Sequence, residues 1–218
     1  MRGRDGPPRG SSLLVIGGTR SGKSELAERI VAGSVGGTRR GDGVDVRVVY
    51  AAVLPARAVV PARDESWERR VHAHRERRPQ SWATAEIQGI EELCELLSAA
   101  RGPVLVDSVT SLAAGLVELA PEAQDDQLER LESALRSRSV SGRSTVAVAD
   151  EVGMAVHPAT ALGIAFAEVA GRINARVAAG SGRVLLVAAG HVVELYSVDR
   201  VVPSLGLTPH DDPGRAPE

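Results

Sequence analysis

The stretch "GGTRSGKS", Gly17 to Ser24, holds the residues of this chain best suited to chemistry. It satisfies G-x-x-x-x-G-K-[ST] through Gly17, Gly22, Lys23 and Ser24. In such a stretch the backbone N–H groups of Gly17, Gly18, Thr19, Arg20, Ser21 and Gly22 turn inward around phosphate oxygens. Lys23 is the only lysine in the sequence, where every other strongly basic side chain is arginine. A compact ammonium at that position reaches the β- and γ-phosphates of a nucleoside triphosphate, and the Ser24 hydroxyl is a ligand for Mg²⁺. A second candidate is Asp107, which ends the apolar run "VLVD". A carboxylate at a strand end beside a phosphate loop is placed to hold the metal ion, directly or through water.

These side chains need a frame to position them, and the pattern of the chain supplies one. "LLVIG" (13–17) reads as a buried strand and "SELAERIVA" (24–32) as a helix, so the loop joins a strand to a helix N-terminus, which favours anions. Strands are predicted at 46–53, 103–109 and 144–150, and helices at 64–77, 90–100, 125–138 and 160–179. Two closing strands around Gly190 are close enough to form a hairpin. Strands alternating with helices predict an α/β fold with a mostly parallel central sheet flanked by helices and one antiparallel edge strand. Residues 1–11 and 201–218, rich in Gly, Pro and charge, are expected to be disordered tails around a single domain at 12–200.

Composition narrows the partners. The 218 residues carry a net charge of −2 and only 2% aromatic residues. That argues against a basic footprint or a stacking platform for nucleic acid. No apolar run approaches the length of a membrane span, and no apolar stretch follows the basic N-terminus as a signal peptide requires. Cys94 is the only cysteine. It cannot form a disulfide within the chain, fits a reducing cytoplasm, and in "EELCELL" reads as a small core residue of a helix.

Beyond the loop, four blocks resemble the bifunctional adenosylcobinamide kinase/adenosylcobinamide-phosphate guanylyltransferases of cobalamin synthesis. They are "GGTRSGKSELAE", "RVHAHRERRPQSWATAE" (70–86), "VLVDSVTSL" (104–112), and "EVGMAVHP" followed by "FAEVAGRINARVA". The resemblance spans about Leu13 to Tyr196. It implies a P-loop NTPase-like fold, ATP or GTP for a kinase step, GTP for a nucleotidyl step, and Mg²⁺ for both. It also implies a corrinoid substrate and a homo-oligomer, a trimer in this family. In the family a histidine attacks GTP to form a covalent GMP-histidine, and the matching residue is His74. Neutral imidazole is a suitable nucleophile near pH 7. Arg78 matches the arginine that follows it and supplies a cationic donor for phosphate. Glu86 matches a glutamate able to accept two N–H donors from a guanine edge. His72 falls out of register with the family's histidine.

The chain departs from the family pattern mainly in one region. Asp150 stands where asparagine is usual, Ala155 where the second glycine of E-V-G-x-G is usual, and Ile164 and Ala167 where arginines are common. Glu168, Ala175 and Gly115 replace an aspartate, a glutamine and an asparagine. Positive charge is lost there, while Lys23, Asp107 and His74 are kept. Two other functions are compatible with these residues: another P-loop small-molecule kinase, or an inactive nucleotide-binding member of the family.

Overall fold

The computed structural model of the chain describes residues 12–35, 47–54, 78–154 and 158–205. The predicted helix at 64–77, with His74 and His72, lies outside the described residues. Seven strands form one sheet: β1 (Ser12–Gly17), β2 (Val49–Val53), β3 (Ala83–Ile87), β4 (Val104–Asp107), β5 (Thr145–Asp150), β6 (Arg183–Ala188) and β7 (His191–Leu195). Their spatial order is β3-β2-β4-β5-β1-β6-β7. Every neighbouring pair is parallel except β6–β7, which is antiparallel. The fold is therefore α/β and P-loop NTPase-like, with the antiparallel edge that the turn at Gly190 predicts.

The central strands read as continuous apolar runs because both of their faces are buried. On one face, Leu13, Val15, Tyr50, Leu105, Val146 and Val148 pack against Ala27 and Val31 of α1 (Lys23–Val35). The other face carries Leu14, Ile16, Ala51, Val106 and Ala147. It is covered by α2 (Ile90–Ala99), α4 (Pro121–Val140) and α5 (Ala161–Ala179), through Leu93, Leu97, Leu128, Leu131, Leu135 and Ile173. A shorter helix, α3 (Ala113–Leu116), follows a 3₁₀ turn at Val109–Leu112. The start of α4 is set by Pro121 in its first turn, and that of α5 by Thr160, whose hydroxyl accepts from the Gly163 N–H at 3.1 Å. Past β7, α6 (Val198–Val201) and a 3₁₀ turn at Val202–Leu205 carry helical structure beyond the expected domain end at 200. Cys94 is half-buried on α2 against the larger core, as its place in the helix predicts, and burial raises its thiol pKa.

One charged side chain at the amino-terminal edge of the sheet was not foreseen in the sequence. Arg138 is 1% exposed. Its Nη1 donates to the carbonyls of Leu97, in the last turn of α2, at 2.9 Å and of Ala100, just past it, at 2.6 Å. Its Nε donates to Thr145 Oγ1 at 2.9 Å, and its Nη2 to the Gly102 carbonyl and to that of Ser144 at 3.4 Å. The guanidinium thus joins the end of α2 to the starts of β4 and β5. Carbonyl dipoles at a helix C-terminus stabilise a cation there. Burial nevertheless pushes its pKa down to about 10, with Arg143 nearby adding to the shift. Arg138→Met should cost about 3 kcal/mol, because it strips donors from several buried carbonyls at once. Urea unfolding checks this, and a loss below about 1 kcal/mol would show that the carbonyls find other partners.

Candidate phosphate-binding site

The parallel strands place their carboxyl ends on one edge, where open α/β sheets bind ligands. Gly17, Asp150 and Asp107 close β1, β5 and β4 on that edge. Registers pair Gly17 with Asp150, Asp107 with Val148 and Ala52, and Ala52 with Glu86. By the two-residue alternation of strands, Asp150, Asp107 and Glu86 belong to the same face as Tyr50, the face that α1 covers. Glu86, an exposed residue on edge strand β3, thus shares a row with Asp107 two strands away.

The loop from Gly18 to Gly22 turns tightly between β1 and α1. Gly22 has φ +96°, a left-handed conformation that favours glycine, and Arg20 also has positive φ. A Cβ on Gly17 would lie 2.4 Å from the Val187 carbonyl of β6, so only glycine fits that close approach. Gly18 O accepts from the Ser21 N–H at 3.3 Å and from Lys23 Nζ at 3.3 Å. Ser21 Oγ is buried without a partner among the described residues. Thr19 lies in the turn, and Ser24 is the second residue of α1.

Lys23, 9% exposed, places Nζ 2.7 Å from Asp150 Oδ1. A nearly buried ammonium needs a counter-charge, and Asp150 provides it. Asp150 is itself anchored by its backbone. Its N–H donates to Thr110 Oγ1 at 2.7 Å, and its carbonyl accepts from Asn174 Nδ2 at 3.0 Å. Glu151 follows, with its N–H donating to the Gly17 carbonyl at 3.1 Å and its carboxylate accepting from the Gly153 N–H at 2.8 Å.

Asp107 accepts from the Tyr50 hydroxyl at 2.8 Å on Oδ2. Tyr50 is 2% exposed, and the Arg78 guanidinium lies 3.4 Å from its ring centroid, a cation–π stack. Burial and then the Asp107 carboxylate raise the tyrosine pKa, while Arg78 opposes them, so the hydroxyl stays a donor. Arg78 Nε is buried with no hydrogen-bond partner among the described residues. The loop, Asp107, Arg78 and Glu86 therefore all belong to the sheet edge or the α1 face beside it, while His74 is outside the described residues. Sequence reasoning did not find Tyr50 or Thr110, and it registered Asp150 only as a departure from a pattern. The signal for Tyr50 was one polar atom in an otherwise apolar strand.

Ser24 in the first turn of α1, and Asp107 and Asp150 at the ends of neighbouring strands, offer hard oxygen donors at this sheet edge. That chemistry fits Mg²⁺, which takes one or two carboxylates and fills its remaining positions with phosphate oxygens and water. Among the described residues no group of three or more acidic, His or Cys side chains is clustered to hold a metal by itself. No helix among them is long and apolar enough to cross a membrane. Tyr50→Phe keeps the ring under Arg78 but removes the donor to Asp107. It is expected to weaken Mg²⁺–GTP binding about tenfold, the scale of one hydrogen bond to a charged group, with little change in unfolding midpoint. Unchanged affinity by calorimetry would mean that the bond does not orient the carboxylate.

The family described as cobinamide kinase / cobinamide phosphate guanyltransferase matches residues 13–195. The bifunctional adenosylcobalamin biosynthesis protein CobU of Salmonella typhimurium is 30% identical over 200 residues, covering 84% of this chain and 98% of that protein. The bifunctional adenosylcobalamin biosynthesis protein CobP of Pseudomonas aeruginosa is 32% identical over 180 residues, covering 81% and 92%. Among solved structures, a KaiC-like protein of Pyrococcus horikoshii OT3 is similar at a TM-score of 0.42 and 17% identity, over 82% of this chain and 71% of that one. With a match that runs through the loop, the Asp107 strand and the Asp150 strand, this chain belongs to the cobinamide kinase / cobinamide phosphate guanyltransferase family.

Proposed function

We propose that the protein phosphorylates adenosylcobinamide with ATP or GTP, then transfers GMP from GTP to adenosylcobinamide phosphate, giving adenosylcobinamide-GDP. The observation that carries this reading is the Lys23–Asp150 pair of 2.7 Å within a P-loop, beside Asp107, in a chain of this family. Further support is that the only lysine of the chain lies in this loop, at the start of α1. The corrinoid and nucleotide are small-molecule partners. A trimeric homo-oligomer goes with the resemblance, and a cytoplasmic location goes with the single unpaired cysteine of the chain.

In the kinase step the loop N–H groups and Lys23 grip the triphosphate, with Ser24 and Asp107 as the residues to hold Mg²⁺. When bound, that ion would supply charge neutralisation for the triphosphate. The acceptor hydroxyl attacks the γ-phosphorus and gives its proton to solvent, while the bond to the β-phosphate oxygen breaks and the nucleoside diphosphate leaves. In the nucleotidyl step the His74 imidazole attacks the α-phosphorus of GTP. A nitrogen–phosphorus bond forms as pyrophosphate departs. A phosphate oxygen of the cobinamide phosphate then attacks that phosphorus and frees the histidine. Arg78, four residues after His74 in sequence, is the cation assigned to phosphate, and Glu86 is assigned to the guanine edge. Support for Arg78 comes from its stack on Tyr50, which links it to Asp107.

Lys23→Ala is expected to lower both activities by about 10²–10⁴, the scale of removing an electrostatic stabiliser. Near-normal kinase turnover in that variant would remove the loop from the donor site. His74→Ala should abolish a GMP adduct, seen as added mass on intact protein after incubation with Mg²⁺ and GTP, while sparing much of the kinase rate. His72→Ala should leave both intact. An adduct that persists without His74, or that disappears only without His72, would place the nucleophile elsewhere. Absence of any adduct alongside a working kinase would favour a P-loop small-molecule kinase instead.

A further inference from the structure

We propose that Asp150 is a built-in counter-anion that makes the loop select metal-bound triphosphate over the metal-free form. The inference rests on the reading of the loop as a triphosphate site. Asp150 Oδ1 lies 2.7 Å from Lys23 Nζ, the position that a β- or γ-phosphate oxygen has to take. The carboxylate cannot retreat with its backbone. Asp150 is in register with Gly17 of β1, its N–H is bound to Thr110 Oγ1 at 2.7 Å, and its carbonyl is bound by Asn174 Nδ2 at 3.0 Å. Only rotation of its own side chain can move it. When a triphosphate takes Lys23, a negative group is therefore left at the rim of the phosphate loop.

Lys23 carries one positive charge, too little to neutralise both the Asp150 carboxylate and a triphosphate, so the two anions still repel unless a further cation joins them. The Asp150 side chain is 37% exposed, so a solvated divalent ion riding on the triphosphate can reach it, whereas the Lys23 side chain is only 11% exposed. A triphosphate without metal meets that residual repulsion; with metal bound it brings its own neutralisation. An asparagine, the usual residue of the resembled family here, could still accept from Lys23 but would carry no charge. The selectivity is thus a consequence of the acid in this chain.

The test is calorimetric titration of the full chain with GTP, once with excess Mg²⁺ and once with EDTA, for wild type, Asp150→Asn and Asp150→Ala. The expected result is a ratio of Mg²⁺–GTP to metal-free GTP affinity that falls about tenfold in both variants, mainly because metal-free GTP binds more tightly. Asp150→Asn keeps the side-chain shape and every backbone contact, so it carries the test even if Asp150→Ala unfolds. An unchanged ratio, or weaker binding of metal-free GTP in Asp150→Asn, overturns the proposal and leaves Asp150 a structural partner of Lys23. If wild type binds both forms and the variants keep its ratio, only the selectivity fails. If wild type binds neither form, the triphosphate reading of the loop fails with it.

Discussion

A nearly buried ammonium has to be neutralised, and the carboxyl edge of this sheet is organised around that requirement. Lys23 opens α1 under the loop and is almost shielded from water. Desolvating a cation without a counter-charge costs several kcal/mol. Asp150 meets the need only because β5 lies directly beside β1, in a register that puts it next to Gly17. Thr110 and Asn174, from the turn after β4 and from α5, hold the backbone of Asp150 in place. A single charge thereby draws in residues from four separate parts of the chain.

The same edge contains a second linked group. Tyr50 on β2 donates to Asp107 on β4 and lies under Arg78. Buried polar atoms of this kind are favourable only when paired, and each pairing restricts the rotamers of its partners. Asp107 thus accepts from a hydroxyl two strand positions away in the core face of β2. In a core with few aromatic residues, one of the two tyrosines is spent on a contact beside the candidate site.

Two sets of polar contacts lie at opposite ends of the strands. At the amino-terminal edge, Arg138 ties α2 to β4 and β5 through backbone carbonyls. At the carboxyl edge, charged and polar groups converge on a loop with positive φ at Arg20 and Gly22.

The sequence by itself determined the alternation of strands and helices, the strand–loop–helix setting of Gly17 to Ser24, and the antiparallel turn at Gly190, because these depend on local periodicity and turn chemistry. It also marked Lys23 and Asp107, whose types and neighbours carry the signal. Strand β3 was hidden, since "ATAEI" is a short, mostly exposed edge strand with no apolar alternation to announce it. The partners of the charged groups were hidden too. Asp150 is 127 residues from Lys23 in sequence, Tyr50 is 57 from Asp107, and Arg138 reaches carbonyls up to 41 residues away. Only strand order and register bring such groups together, because pairing across a sheet is a long-range property that no local window of sequence contains.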